Sequence, residues 1–94
     1  MKGRKLAEGA IVWIPCKVKQ GMVPTERYVL VNLGGREITG FIPAEDVEEP
    51  ESRVKAVVTH LPENKKRVAL LFRGEIFRDT NPVTVEKDWL DNAM

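Results

Sequence analysis

The sequence predicts an all-β fold, a small antiparallel barrel or sandwich, and three observations carry that expectation. Five stretches either alternate apolar with polar residues or are rich in β-branched and aromatic ones. Turn-forming residues separate them, and no long helical pattern occurs in the first 77 residues.

The first stretch runs from Ile11 to Val18. Val12, Ile14, Cys16 and Val18 fall on one face, with Trp13, Pro15 and Lys17 on the other. Pro15 marks an edge or a bulge there, because proline cannot donate to a ladder. After the turn-rich "QGMVPTE", the segment "RYVLVNL" is a strong strand, and "GGRE" turns it into "ITGFI". Pairing Leu33 with Ile38 across that turn sets Tyr28 opposite Pro43, with Phe41 as its diagonal neighbour on the same face. Gly40 is expected to permit a close turn and Pro43 to end the strand. The acids and Pro50 of "PAEDVEEPES" leave room for at most one helical turn. "RVKAVVTHL" then alternates Val54, Ala56 and Val58 against Arg53, Lys55 and Val57, and "PENKK" leads into "RVALLF" as a second hairpin. In the tail, Thr84 caps a short helix carrying Val85, Trp89 and Leu90, or "VTV" forms an extra strand. Trp89 and Leu90 are expected to cover the open end of the fold, with Ile76 and Phe77 as candidates for the other side of that contact. At this size a five-stranded OB-type barrel is the economical arrangement, and an SH3-like barrel is its main competitor.

Ninety-four residues suit a single domain, with residues 9–77 as the barrel and 78–94 as its cap or tail. No apolar run approaches the roughly 20 residues of a membrane span. The N-terminal "MKGRKLAEGA" is basic, but the apolar stretch after it is broken by Pro15 and Lys17, unlike a secretory signal. A cytoplasmic location is therefore expected. With one cysteine, Cys16, and one histidine, His60, neither an internal disulfide nor a Cys/His zinc cluster is available. A net charge of +1 supplies no global attraction to nucleic acid, so any basic surface must come from segregation. Acids do concentrate between Pro43 and Asn64, directly before the basic run Lys65, Lys66 and Arg67.

Candidates for catalysis are poor. His60 sits in an alternating strand, where a structural imidazole is the economical reading, and Cys16 lies on an apolar face. The acids of residues 45–51 match no calcium loop, and "NLGGRE" lacks the lysine and strand-to-helix setting of a phosphate loop. No enzyme activity and no cofactor are expected. Binding a single nucleic-acid strand needs aromatic faces for bases and cations for phosphates. Tyr28 and Phe41 supply the first if their face is the outer one, and Arg27, Arg36, Lys65, Lys66 and Arg67 are the nearest cations, of which Arg36, Lys65, Lys66 and Arg67 are the candidates for phosphate contact. Core packing of both rings is the competing reading.

The run "YVLVNLGGREITGFIPAEDV", followed by "VKAVVTHLPENKKRVALLF", resembles the S-one RNA-binding domain, the OB-fold module named after the largest protein of the bacterial small ribosomal subunit, over about residues 9–73. The shared pattern is an aromatic-Val pair, a Gly-rich turn, a Gly-aromatic-Ile-Pro corner and a later Arg-Val-x-Leu strand. The resemblance implies that Tyr28 and Phe41 occupy stacking positions and that Arg67 takes the basic position opening the fifth strand. Pro43 stands where many RNA-binding members carry histidine, Met22 and Val23 stand where many place a second aromatic, and His60-Leu61-Pro62 offers no aspartate. The expected function is binding of single-stranded RNA or DNA. The alternative is a protein-interaction or regulatory module that presents the acidic residues Glu45, Asp46, Glu48 and Glu49 to a basic partner.

Overall fold

The computed structural model describes residues 6–20, 23–61, 66–77 and 79–93, and within them nine strands form two antiparallel sheets. In chain order these are β1 (Ile11–Pro15), β2 (Lys17–Gln20), β3 (Glu26–Asn32) and β4 (Glu37–Pro43), then a 3₁₀ turn (Ala44–Asp46) and β5 (Val47–Glu48). They continue as β6 (Arg53–His60), β7 (Arg67–Leu71), β8 (Glu75–Phe77), β9 (Val83–Glu86) and the helix α1 (Lys87–Ala93). The first sheet runs β1-β6-β7-β9 with β5 also paired to β6, and the second runs β2-β3-β4-β8. Only Cys16 separates β1 from β2, so one extended stretch bends there and gives a strand to each sheet. The missing donor of Pro15 falls beside that bend, and pairing resumes with the Cys16 N–H donating to the Ser52 carbonyl at 2.8 Å.

The core lies between the two sheets, and each strand contributes alternate residues to it. Val12 and Ile14 from β1, Val54, Ala56 and Val58 from β6, and Val68 and Leu70 from β7 meet Val29 and Val31 from β3 and Ile38 and Ile42 from β4. Fully burying such a side chain is worth about 1.5–3 kcal/mol, which is why the two-residue period of the sequence sets the inward face of each strand. Cys16 and Val18 pack against this cluster from its margin.

Three expectations change. Among the described residues no ladder joins β8 to β9, so the sheets face each other without closing into the expected five-stranded barrel. The first hairpin also pairs two residues further along than expected. Gly34 and Gly35 both have positive φ, at 74° and 115°, and form a two-residue turn closed by the Leu33 N–H donating to the Arg36 carbonyl at 2.7 Å. Asn32 holds this turn, accepting from the N–H groups of Gly34 and Gly35 at 3.0 and 3.2 Å. Val31 therefore faces Ile38, and Tyr28 lies directly opposite Phe41 rather than Pro43. A slip of two residues keeps each side chain on its expected face. Third, the tail forms the strand β9 and then a helix that starts only at Lys87, so Thr84 and Val85 lie in the strand rather than capping and opening the helix as expected. Leu90 is fully buried, and Trp89 packs beside Gly34, where a Cβ would stand 2.9 Å from its ring.

Candidate functional site

Residues of the second sheet with the parity of Tyr28 face away from the core, and the pairing register arranges them as a grid. One row across β2, β3, β4 and β8 reads Lys19, Tyr28, Phe41, Glu75; the next reads Lys17, Leu30, Thr39, Phe77. Phe41 thus points outward, which settles the direction left open by the strand pattern. The rings of Tyr28 and Phe41 have centroids 5.3 Å apart, and Phe77 meets Phe41 edge-on at 5.7 Å. These spacings lie in the favourable range for tilted and edge-to-face pairs. Tyr28 and Phe41 are half-buried against each other, while Phe77 keeps 36% of its surface exposed. The three form a ridge across strands β3, β4 and β8.

The segment from Arg73 to Phe77 completes that ridge, and two glycines let it approach. Gly40 does not make a turn: it lies within β4, where a Cβ would stand 2.5 Å from the Glu75 carbonyl oxygen and 2.7 Å from Ile76 Cδ1. Gly74, at φ 147°, sits where a Cβ would be 2.3 Å from the Phe41 carbonyl oxygen. Ile76 turns inward and packs against the core cluster that also holds Leu90 and Trp89, whereas Phe77 turns outward onto Phe41. Arg73 secures the segment. Its Nε lies 3.0 Å from Asp46 Oδ2 and its terminal nitrogen 3.3 Å from Oδ1, and it also pairs with Glu45. The Asp46 side chain is only 5% exposed, so this is an almost buried carboxylate held by both of its oxygens.

The expected cations do not join the rings. Arg36 lies across from Leu33 and shares its inward parity, and its side chain donates to Asp79, in the loop before β9, at 2.6 Å and to the carbonyl of Thr84 in β9. Arg67 belongs to the outer face of the first sheet, 3.8 Å from Glu86. Lys66 precedes β7, where its carbonyl accepts from the Lys87 N–H at 2.9 Å, and Lys65 lies outside the described residues. The lysines in register with the ridge are Lys19 and Lys17, which the sequence reading did not select. Their outward parity on β2 was the available signal. The outer face also carries Glu26 and Glu37 at its two ends and Glu75 beside Phe41.

The acidic loop is internally paired. Glu45 and Asp46 meet Arg73, Glu48 meets Arg53 at 2.6 Å, and Glu49 meets Arg27. His60, expected to be a structural imidazole, is instead largely exposed, with Nδ1 3.7 Å from Glu8. The bulge between Val58 and His60 carries it off the alternating pattern of β6. Burial pushes the Cys16 thiol up from its ordinary value of 9.0 to about 11, the opposite of what a nucleophile needs. Among the described residues no three His, Cys, Asp or Glu side chains cluster to hold a metal, and no helix is long and apolar enough to cross a membrane. No protein-family model, curated protein or solved structure matches the chain.

Proposed function

We propose that this chain binds single-stranded nucleic acid, RNA before DNA, on the outer face of the second sheet. The observation that carries the proposal is the ridge of Tyr28, Phe41 and Phe77 with Lys19 in direct register beside it. Bases stack on the rings, and phosphates follow Lys17 and Lys19 along β2. Arg36, Lys66 and Arg67 lie off this path. The binding has no catalytic step, and no cofactor enters it. The S-one resemblance and an OB-type architecture support the reading through connectivity: a bent first stretch pairs with β6 by one half and β3 by the other, and two hairpins follow. Fold alone does not fix function, so the rings and lysines carry the weight. The test is fluorescence titration of mixed-sequence single-stranded RNA at low salt. Saturable binding is expected, and no binding by about 100 μM contradicts the proposal, since even weak non-specific binding reaches that level.

A second reading has one observation in its favour: the same face carries three acids, Glu26, Glu37 and Glu75, against two lysines. An apolar centre with a mixed rim also suits a protein partner. That partner would dock on the rings, because the acids of the 45–49 loop are already engaged by arginines. Binding of RNA that is lost with the rings decides against it.

A further inference from the structure

Resting on the nucleic-acid reading, we infer that Glu75 reads the base placed on the Tyr28–Phe41 ridge and selects guanine. Glu75 lies directly opposite Phe41 in the β4–β8 ladder and is exposed, and its neighbour Ile76 packs inward, so the carboxylate stands on the ring face. Among the described residues it has no ion pair or side-chain hydrogen bond, unlike the acids of the 45–49 loop. Its orientation has a backbone cause, since Gly40 and Gly74 let this segment lie closer to β4 than any side chain would allow.

The row Lys19, Tyr28, Phe41, Glu75 has a cation at one end and an acid at the other, with rings between. Its ends are three strand spacings apart, about 14 Å. A nucleotide laid along that row has its phosphate at the lysine end, its base on the rings and its outer edge at Glu75. In a single strand the Watson–Crick edge is free to be read. A carboxylate is acceptor-only, with two oxygens side by side. Guanine alone presents two adjacent donors on that edge, N1–H and the N2 amino group, and so pairs with both oxygens. Adenine and cytosine each present one amino donor next to a ring-nitrogen acceptor, and uracil presents one N–H between two carbonyl acceptors. The carboxylate repels those acceptors, so its presence also disfavours the other three bases.

The experiment compares fluorescence anisotropy of two labelled RNA octamers, oligouridine and the same strand with one central guanosine, against the wild-type chain and its Glu75→Ala and Glu75→Gln variants. Both strands carry equal charge, so phosphate contacts cancel. The expected result is about fivefold or more tighter binding of the guanosine strand by wild type, in line with a bidentate base contact, and loss of that ratio in Glu75→Ala. Glu75→Gln, which exchanges one acceptor for a donor, also lowers the ratio. Circular dichroism confirms that these exposed-site variants remain folded. Equal binding of the two strands by wild type, or a ratio that persists in Glu75→Ala, overturns the role of Glu75 while leaving the binding face standing. Failure of wild type to bind either strand by about 100 μM overturns the face itself and the inference with it.

Discussion

At the scale of single residues, side chains differ in what else they already touch. Phe41 contacts two other rings yet remains half-buried, so it has a surface to offer. Replacing it with alanine removes a stacking surface worth about 1–3 kcal/mol per base, and single-strand affinity is expected to fall about 5-fold to 150-fold by titration. Arg36→Ala and Arg67→Ala are expected to leave affinity within about twofold, because neither cation lies on the ring face and each is already paired with an acid. Cys16 carries a second prediction at this scale. Its folded thiol is raised from 9.0 to about 11 by desolvation, so the stability it contributes is complete below pH 9 and is lost as pH rises through about 11. Between those values the unfolded chain ionises first, and stability falls. Denaturation midpoints across that range are expected to fall less steeply in Cys16→Ala than in wild type.

At the scale of elements, β8 is the piece whose attachment matters most, for it carries both Phe77 and Glu75. Its anchor is asymmetric: the Arg73 side chain is 61% exposed, whereas that of Asp46 is 5% exposed. Deleting Asp46 leaves an arginine that water can solvate. Deleting Arg73 strands a buried carboxylate, and an unpaired buried group costs about 1–3 kcal/mol, more when charged. Arg73→Ala is therefore expected to destabilise more than Asp46→Ala in urea denaturation, with the double variant no worse than Arg73→Ala alone. Equal losses would mean that the ion pair does not secure this segment. The same element shows where sequence reading stops. β1, β3, β4, β6 and β7 were legible because each buries one face, so that apolar residues recur at every second position, whereas β2, with only Val18 half-buried, reads as the end of the first stretch. β8 has three residues, too few for a period, and its place is set by Gly40 and Gly74, whose role depends on partners, Glu75 and Phe41, that lie 35 and 33 positions away in the chain. The ring pair was legible in its face but not in its register, since two positive-φ glycines shorten the turn. The ion pairs joining Arg27 to Glu49, Arg73 to Glu45 and Arg36 to Asp79 span 22, 28 and 43 positions and leave no local pattern.

At the scale of the whole molecule, the two sheets put two outer faces on opposite sides of one core, and the charges sort between them and the joints. All five described arginines, Arg27, Arg36, Arg53, Arg67 and Arg73, meet an acid. Among the described residues, the basic side chains left on the ring face are Lys17 and Lys19, both on β2 beside the ridge. With two phosphates neutralised, the logarithm of affinity is expected to fall against that of salt with a slope of about −1.4, from 0.7 per phosphate on a single strand. A slope near −4 would instead indicate that the arginines and the basic run also engage the strand. A net charge of +1 is consistent with such shallow dependence, because the attraction is local rather than a property of the whole surface.

The most direct test of the ring face is amide chemical-shift mapping of the isotope-labelled chain with a single-stranded RNA octamer at low salt. Shifts are expected to concentrate on β2, β3, β4 and β8, centred on Lys19, Tyr28, Phe41 and Phe77. Shifts confined to β6, β7 and β9, or none with RNA well above about 100 μM, would contradict that expectation.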